Sequence, residues 1–246
     1  MIVNLTRNGW EIIYHRAHAL LAANIAGQWQ RSDAPLRLYE TIAAISHHDD
    51  LEREWEGDHL TPAGAPLDFT LGTDSSLEKL QQHMEDACYR GRWVALLTSK
   101  HICFLNQDQW ESAPEWQEFL HQQLQLQEQW RRELKITSEE AEEAYQFMRW
   151  CDRLSLILVQ QQIPDAGRAV EITSGIKGQR YDLRQVQDGQ LTVEPWPFEK
   201  DQFAVSVEAS YLPELKYDSN KALVDALQHA EIKLLEWRFT KPEGQD

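Results

Sequence analysis

The chain has little cysteine and no long hydrophobic run, and both shortages narrow the class of protein. Its three cysteines, Cys88, Cys103 and Cys151, are odd in number and far apart in sequence. Neither a disulfide framework nor a thiolate zinc site is indicated, and a reducing compartment fits best. No apolar run reaches the roughly 18 residues of a transmembrane helix, and no basic segment followed by an apolar stretch opens the chain. We therefore expect a cytoplasmic protein that does not bind membranes.

Basic residues are the second shortage. Lys and Arg total 24 against 40 Asp and Glu, which gives a formal net charge of −16. This balance argues against a nucleic-acid polymer held through its phosphates. A small phosphorylated ligand would need a local positive centre.

The chain is long enough for a sizeable core, since it has 246 residues of which 42% are hydrophobic. Helical periodicity predominates between residues 16 and 158, and short β-prone runs follow Pro164. We predict a mainly α fold: a helical bundle with an N-terminal β-hairpin over residues 1–164, and a small C-terminal α+β lobe over residues 165–246. The lobe packs on the helical domain or continues it as one domain.

The individual elements follow from periodicity, capping signals and turn residues. Asn8-Gly9 and Asp188-Gly189 predict hairpin turns, and capping boxes at 75–78 and 137–140 predict helix starts. A long ordered loop is predicted over 57–72. The predicted helices are 17–29, 36–48, 76–106, 115–134, 139–162 and 219–230. The predicted strands are 2–6, 10–14, 169–173, 180–183, 191–194, 203–209 and 234–239.

The pair His48-Asp49 lies where an amphipathic helix should present apolar side chains. Leu38, Ile42 and Ile45 recur at helical spacing, and the next step of four residues is Asp49. Burying a carboxylate without a partner costs several kcal/mol or more. Either a cation meets this carboxylate, or the helix ends here and water does.

Three further polar residues face inward on predicted helices: His18, His101 and Asp152. With His48 and Asp49 they form a set of five that a bundle interior can bring together. Alternative interpretations stay open at this point. Each histidine can be a hydrogen-bonded core residue, Asp152 can pair with Arg149 or Arg16, and His48-Asp49 can be a solvated helix end. Acidic residues are, however, unfavourable at a helix C-terminus.

The order of these residues resembles the HD-domain superfamily of metal-dependent phosphohydrolases: a His, an adjacent His-Asp about 30 residues later, and a distant Asp on a late helix. More closely, the chain resembles the DUF3891 family (domain of unknown function 3891), which we associate with that superfamily. One departure is Leu51, which follows the His-Asp-Asp where the family commonly has Gly-Trp soon after. The segments that carry the resemblance are 14–18, 43–50, 66–69, 95–101, 152–156 and 194–198.

The resemblance implies that His18, His48, Asp49 and Asp152 are the ligands of one divalent metal. Two imidazoles and two carboxylates suit Mn, Fe, Co, Ni or Mg, and Zn is also compatible. By the same resemblance, His101 contacts the substrate or a second metal. Asp50 acts as the base, orients the metal water or supports a ligand histidine. Lys100 and Arg149 are predicted to supply positive charge for a phosphate.

The leading functional hypothesis is a metal-dependent phosphohydrolase that acts on a nucleotide or another small phosphoester. The second is a non-catalytic HD-like sensor or interaction protein that keeps the metal. The ten tryptophans favour the second if several are exposed together. The third is a metal-free helical protein whose inward polar residues bond one another. A homodimer is compatible with all three.

Overall fold

The computed structural model describes residues 1–51, 53–72, 76–111, 113–173 and 176–242, except for the side chain of Trp110. Seven helices lie in these ranges: α1 (His15–Gly27), α2 (Leu38–His47), α3 (Leu77–Arg90), α4 (Arg92–Leu105), α5 (Pro114–Leu134), α6 (Ser138–Val159) and α7 (Asn220–Gln228). The strands are β1 (Ile2–Thr6), β2 (Gly9–Ile13), β3 (Ala169–Thr173), β4 (Tyr181–Gln185), β5 (Leu191–Glu194), β6 (Gln202–Leu212) and β7 (Glu231–Thr240).

All seven of these strands join one sheet in the order β1-β2-β6-β7-β5-β4-β3. Neighbouring strands are antiparallel except β5 and β7, which are parallel. The fold is therefore α+β, and the prediction of a mainly α HD-domain-like bundle with a separate hairpin and a small lobe is wrong. Local periodicity located most of the strands but carries no information about which distant strands pair, so the sheet was underestimated.

The contact between β2 and β6 joins the N-terminal hairpin to the C-terminal third of the chain. Trp10 faces Leu212 and Ile12 faces Ser210 in the register of this pair. Gly9 has a φ of 123°, and a Cβ there would lie 2.0 Å from the carbonyl oxygen of Leu212. Only glycine fits this close approach. The domain boundary predicted at residue 164 thus falls between segments that share one sheet, and the division itself stays a prediction.

Helices α1, α2, α4 and α6 pack against one another, and α1 and α6 also contact the sheet. Buried aromatic side chains fill the space between these layers. Trp29, two residues after the end of α1, and Trp150 of α6 meet edge-on, with ring centroids 4.9 Å apart, and both contact Phe198. This packing fixes α1 relative to α6, which together carry two of the predicted metal ligands.

The predicted helix over 76–106 is two helices, because Gly91 ends the first helix and precedes the second. Gly91 has a φ of 113°, which is a conformation that glycine favours. The capping box of Thr137 and Glu140 is confirmed at the start of α6. At the other predicted box, Ser76 caps α3, whereas Ser75 lies outside the described residues. Both predicted hairpins are confirmed.

The loop over 57–72 contains one short 3-10 turn, Phe69–Leu71, as its only helix. It is tied to the first strand, because the Asp68 carboxylate accepts a hydrogen bond from the backbone N–H of Val3 at 2.9 Å. An ordered loop is therefore confirmed here. Across the described ranges, none of the helices combines the length and apolar character that crossing a membrane requires.

Candidate metal centre

Four side chains from three helical segments meet at one point. His18 lies on α1, Asp152 lies on α6, and His48 and Asp49 directly follow the last residue of α2. Nε2 of His18 is 2.9 Å from Oδ2 of Asp49, and Nε2 of His48 is 3.2 Å from Oδ1 of Asp152. The two crossed nitrogen-to-oxygen distances are 3.7 and 3.8 Å. The structure thus brings together the four residues predicted as metal ligands.

The local sequence explains why these side chains point inward. His18 precedes Leu21 and Ala22 by one turn on the fully buried face of α1. Asp152 follows Met148 by one turn on the inner face of α6. The predicted second helix ends one residue early, at His47, so His48 and Asp49 lie in the turn at its C-terminus. Cations are favoured at this end of a helix.

His18 is held in one tautomer by a neighbour on α6. The Ser155 hydroxyl donates to the backbone carbonyl of Asp152 at 2.9 Å, so its oxygen accepts at 2.7 Å from Nδ1–H of His18. The proton on Nδ1 is therefore committed to Ser155. Nε2, which faces the two carboxylates, is the nitrogen left to bind a cation. A second hydrogen bond of this kind is the usual support of a metal-ligating histidine.

His48 has the same arrangement with a different partner. Its Nδ1 lies 2.5 Å from the backbone carbonyl oxygen of Ile45, which can only accept, so Nδ1 carries the proton. Nε2 of His48 consequently faces Asp49 and Asp152, as Nε2 of His18 does. The two imidazole rings are nearly perpendicular, with centroids 5.2 Å apart. Two Nε2 atoms and two carboxylates thus converge. Nε2 of His18 is within hydrogen-bond distance of Asp49, and a cation between the four groups would replace contacts of this kind.

The electrostatics of the site reflect the same convergence. Burial by itself disfavours the imidazolium, but the carboxylates of Asp49 and Asp152 outweigh it and raise the pKa of His48 to about 10. Burial acts to raise the carboxyl pKa values of Asp49 and Asp152, yet the neighbouring histidines hold both below the ordinary range. Both carboxylates are therefore ionised at neutral pH. The proton on His48 balances part of their charge, and a bound metal would replace that proton.

The donor set fits a divalent metal. His18, His48 and Asp49 offer ligand atoms that all lie within 4.8 Å of one another, and so do His48, His101 and Asp152. Imidazole nitrogens and carboxylate oxygens without a thiolate suit Mn, Fe, Co, Ni and Zn, and the carboxylates also suit Mg. The histidine side chains are 1% exposed, whereas Asp49 is 26% and Asp152 is 16% exposed. The carboxylate side is thus the accessible side.

His101 lies at the buried edge of the cluster. Its ring meets the His48 ring edge-on, with centroids 5.1 Å apart, and its Nδ1 is 3.5 Å from the Tyr145 hydroxyl. Burial, with a smaller effect from the charge of His48, lowers the pKa of His101 to about 4. It is therefore a neutral imidazole at pH 7, suited to binding a metal or contacting a ligand.

The other three predicted site residues are engaged outside the cluster. The Asp50 carboxylate turns to His47, whose Nδ1 lies 2.7 Å from Oδ2. Lys100 forms an ion pair with Glu142 at 2.8 Å. The guanidinium of Arg149 lies over the ring of Phe104 at 3.7 Å from its centroid. The roles predicted for these three residues stay predictions.

Ser155 and His83 also support the cluster, and the sequence motifs predicted no role for either, although helical spacing identifies both positions. Ser155 follows Asp152 by three residues and therefore shares its face of α6. His83 follows Leu80 by three residues on the buried face of α3. Its Nε2 is 3.2 Å from the backbone carbonyl of His48, and its ring lies against that of His47 at a tilt of 35°, with centroids 4.4 Å apart. His83 thus supports the turn that carries the ligands.

Comparison with protein families places the chain in one of them. Residues 1–214 match DUF3891, whose description is a protein of unknown function. The chain belongs to this family, as its sequence motifs predicted. No curated protein and no solved structure gives a significant match.

Proposed function

We propose that this protein is a divalent-metal-dependent phosphohydrolase that acts on a nucleotide or another small phosphoester. One observation carries the proposal: both histidines commit Nδ1–H to a neighbouring oxygen and turn Nε2 toward Asp49 and Asp152. Imidazole–carboxylate hydrogen bonds alone would be satisfied by two separate pairs, whereas here both nitrogens and both carboxylates converge within 3.8 Å. A metal site needs this convergence, because each ligand must offer a lone pair to the same point.

His18, His48, Asp49 and Asp152 would hold the metal. When bound there, a divalent ion supplies a water of lowered pKa and offsets charge on a phosphoryl oxygen. The four side chains would fix its position, and Ser155 and the Ile45 carbonyl would fix the imidazole orientations. His101, which is neutral and adjacent to His48, would donate or accept a hydrogen bond at the substrate.

The order of the four ligands supports this reaction class. A His, an adjacent His-Asp and a late Asp resemble the ligand order of HD-domain phosphohydrolases. The resemblance here concerns ligands and not the overall fold, which contains a seven-stranded sheet over the described residues. A shared ligand set is weaker support for activity than for metal binding.

A second candidate is a non-catalytic protein that keeps the metal as a sensor or structural element. The engagement of Lys100 with Glu142 and of Arg149 with Phe104 favours it, because neither predicted phosphate contact is presented to the cluster in this conformation. Both candidates require a metal. The first predicts turnover of a phosphoester, and the second predicts none.

Elemental analysis tests the common premise. Protein purified without chelator or a nickel column should contain about one equivalent of a transition metal, or gain one on incubation with Mn, Fe, Co, Ni, Mg or Zn. Persistent absence of metal would overturn both candidates. Loaded protein should then be screened against small phosphoesters, with Asp152→Ala as the site variant and Asp182→Ala as the control from β4. Metal without turnover would favour the sensor.

A further inference from the structure

A cleft of about 730 Å³ is bounded by residues next to the candidate metal centre. Its walls come from the start of α1, the segment after α2, and α3. Its volume lies in the range of small-molecule sites. Four of the described residues that line it are basic: Arg16, Arg53, Lys79 and Arg90.

The charge balance of this cleft is the reverse of that of the whole chain. Among the described residues, three acidic side chains line it beside the four basic ones: Asp50, Glu56 and Asp86. The chain as a whole has 24 basic and 40 acidic residues. A local excess of positive charge on an acidic protein concentrates small anions at that place.

Asp50 anchors two of the basic side chains. Nη2 of Arg16 donates to the backbone carbonyl of Asp50 at 2.7 Å, and Nε of Arg16 is 3.7 Å from the Asp50 carboxylate. Nη2 of Arg90 donates to the same carboxylate at 3.2 Å. A guanidinium has five N–H donors, and these contacts use only some of them. Arg16 is 50% exposed and Arg90 is 45% exposed, so both can meet a ligand.

Anchoring of this kind favours anion binding. A long side chain that is already held loses less conformational entropy when a ligand arrives. Guanidinium groups also match the geometry of phosphate oxygens with two parallel hydrogen bonds. Because Asp50 contacts both Arg16 and Arg90, the two guanidiniums flank one point in the cleft.

The cleft and the metal ligands share chain segments. Asp50 directly follows Asp49, and Arg16 precedes His18 by two residues on α1. His83 lines the cleft and also contacts the backbone carbonyl of His48. A ligand phosphate in the cleft would therefore lie next to the segment that carries two of the four ligands.

We propose that this cleft binds the phosphate group of a small molecule, with Arg16 and Arg90 as its ligands and Asp50 as their positioning residue. The inference rests on the proposed function where it places this phosphate beside the metal, while anion binding as such requires no metal. It assigns the phosphate contact to Arg16 and Arg90 instead of Lys100 and Arg149. It also gives Asp50 a role other than that of a base.

Calorimetric titration of the full chain with inorganic pyrophosphate, after chelator treatment, tests this site separately from the metal. The variants are Arg16→Gln, Arg90→Gln and the double variant. Arg180→Gln is the control, because Arg180 directly precedes β4 and its replacement removes the same charge near the β3 edge of the sheet. Far-UV circular dichroism verifies the fold of each protein. We expect wild type to bind, each single variant to bind several-fold more weakly, and the double variant to lose at least about tenfold in affinity.

The outcomes separate the two proposals. Pyrophosphate binding that depends on Arg16 and Arg90 supports the phosphate site in the cleft, whether or not the protein takes a metal. If elemental analysis finds no metal, the phosphohydrolase proposal alone would fail. Absence of pyrophosphate binding by folded, metal-free wild type would overturn the cleft. An equal loss in Arg180→Gln would also overturn it, since net charge alone would explain the effect. If the metal-loaded protein hydrolyses a phosphoester and its KM is unchanged in the double variant, the phosphohydrolase proposal would stand. The proposal that the cleft binds the substrate phosphate would then be overturned.

Discussion

The Ser155 hydroxyl oxygen lies 2.7 Å from Nδ1 of His18, although 137 residues separate the two in the chain. This contact joins α6 to α1 and decides which nitrogen of His18 faces the carboxylates of Asp49 and Asp152. It makes Ser155 a positioning residue of the candidate metal centre.

Ser155→Ala should weaken metal binding about tenfold or more, because His18 loses the acceptor that holds its tautomer and ring orientation. Ser99→Ala is a matched control, since Ser99 on α4 is equally buried but donates its hydroxyl hydrogen bond to Gln123 on α5. Both variants should lose roughly 1–3 kcal/mol of unfolding free energy. Competition titration with a metal indicator measures the affinity. Equal metal affinity in the two variants would exclude the positioning role.

Asp152→Ala should abolish stoichiometric metal content, because one of four ligands is lost and both histidines lose a neighbouring charge. Asp182→Ala on β4 should keep it, since Asp182 pairs with Arg180 instead. Elemental analysis after incubation with Mn and desalting gives the occupancy. Occupancy equal to wild type would remove Asp152 from the site.

His101→Ala should leave the metal in place and reduce turnover about a hundredfold on any phosphoester found by the screen. The reason is that His101 touches the cluster through His48 and is predicted to contact substrate. His121→Ala, on the exposed surface of α5, should change neither quantity. Loss of the metal from His101→Ala would instead identify His101 as a ligand.

The stability of the protein should fall in mild acid partly because of His83. Burial first, and the charge of His47 second, lower the pKa of His83 to about 4, while Asp50 and Asp49 act in the opposite direction. Between the unfolded value near 6.5 and this folded value, the unfolded chain binds a proton that the folded chain does not. The stability is therefore complete above about pH 6.5 and is lost as the pH falls toward about 4, by roughly 1 kcal/mol per pH unit.

His83→Gln keeps a donor for the His48 carbonyl and removes this titration. Urea unfolding of wild type and variant at pH values between about 7 and about 5 should show a smaller acid loss in the variant. Parallel losses in the two proteins would contradict the assignment.

Much of the site could be predicted from the sequence, because inward polar residues interrupt apolar stripes whose period is a local property of a helix. His18, His48, His101 and Asp152 were each found in this way, and Asp49 by the next step of the same stripe. The side-chain direction of Asp50 could not be found. It depends on His47, Arg16 and Arg90, and Arg90 comes from a helix that the sequence pattern merged with its neighbour across Gly91.

The sequence by itself determined most of the strands and helices, both hairpins and the set of inward histidines and aspartates, since all of these depend on neighbours within a few turns of the chain. Tertiary structure alone decided that β2 pairs with β6, and so that the fold is α+β. It also decided which imidazole nitrogens meet the carboxylates and where basic side chains gather. These features depend on contacts between distant segments, and no local pattern records such contacts.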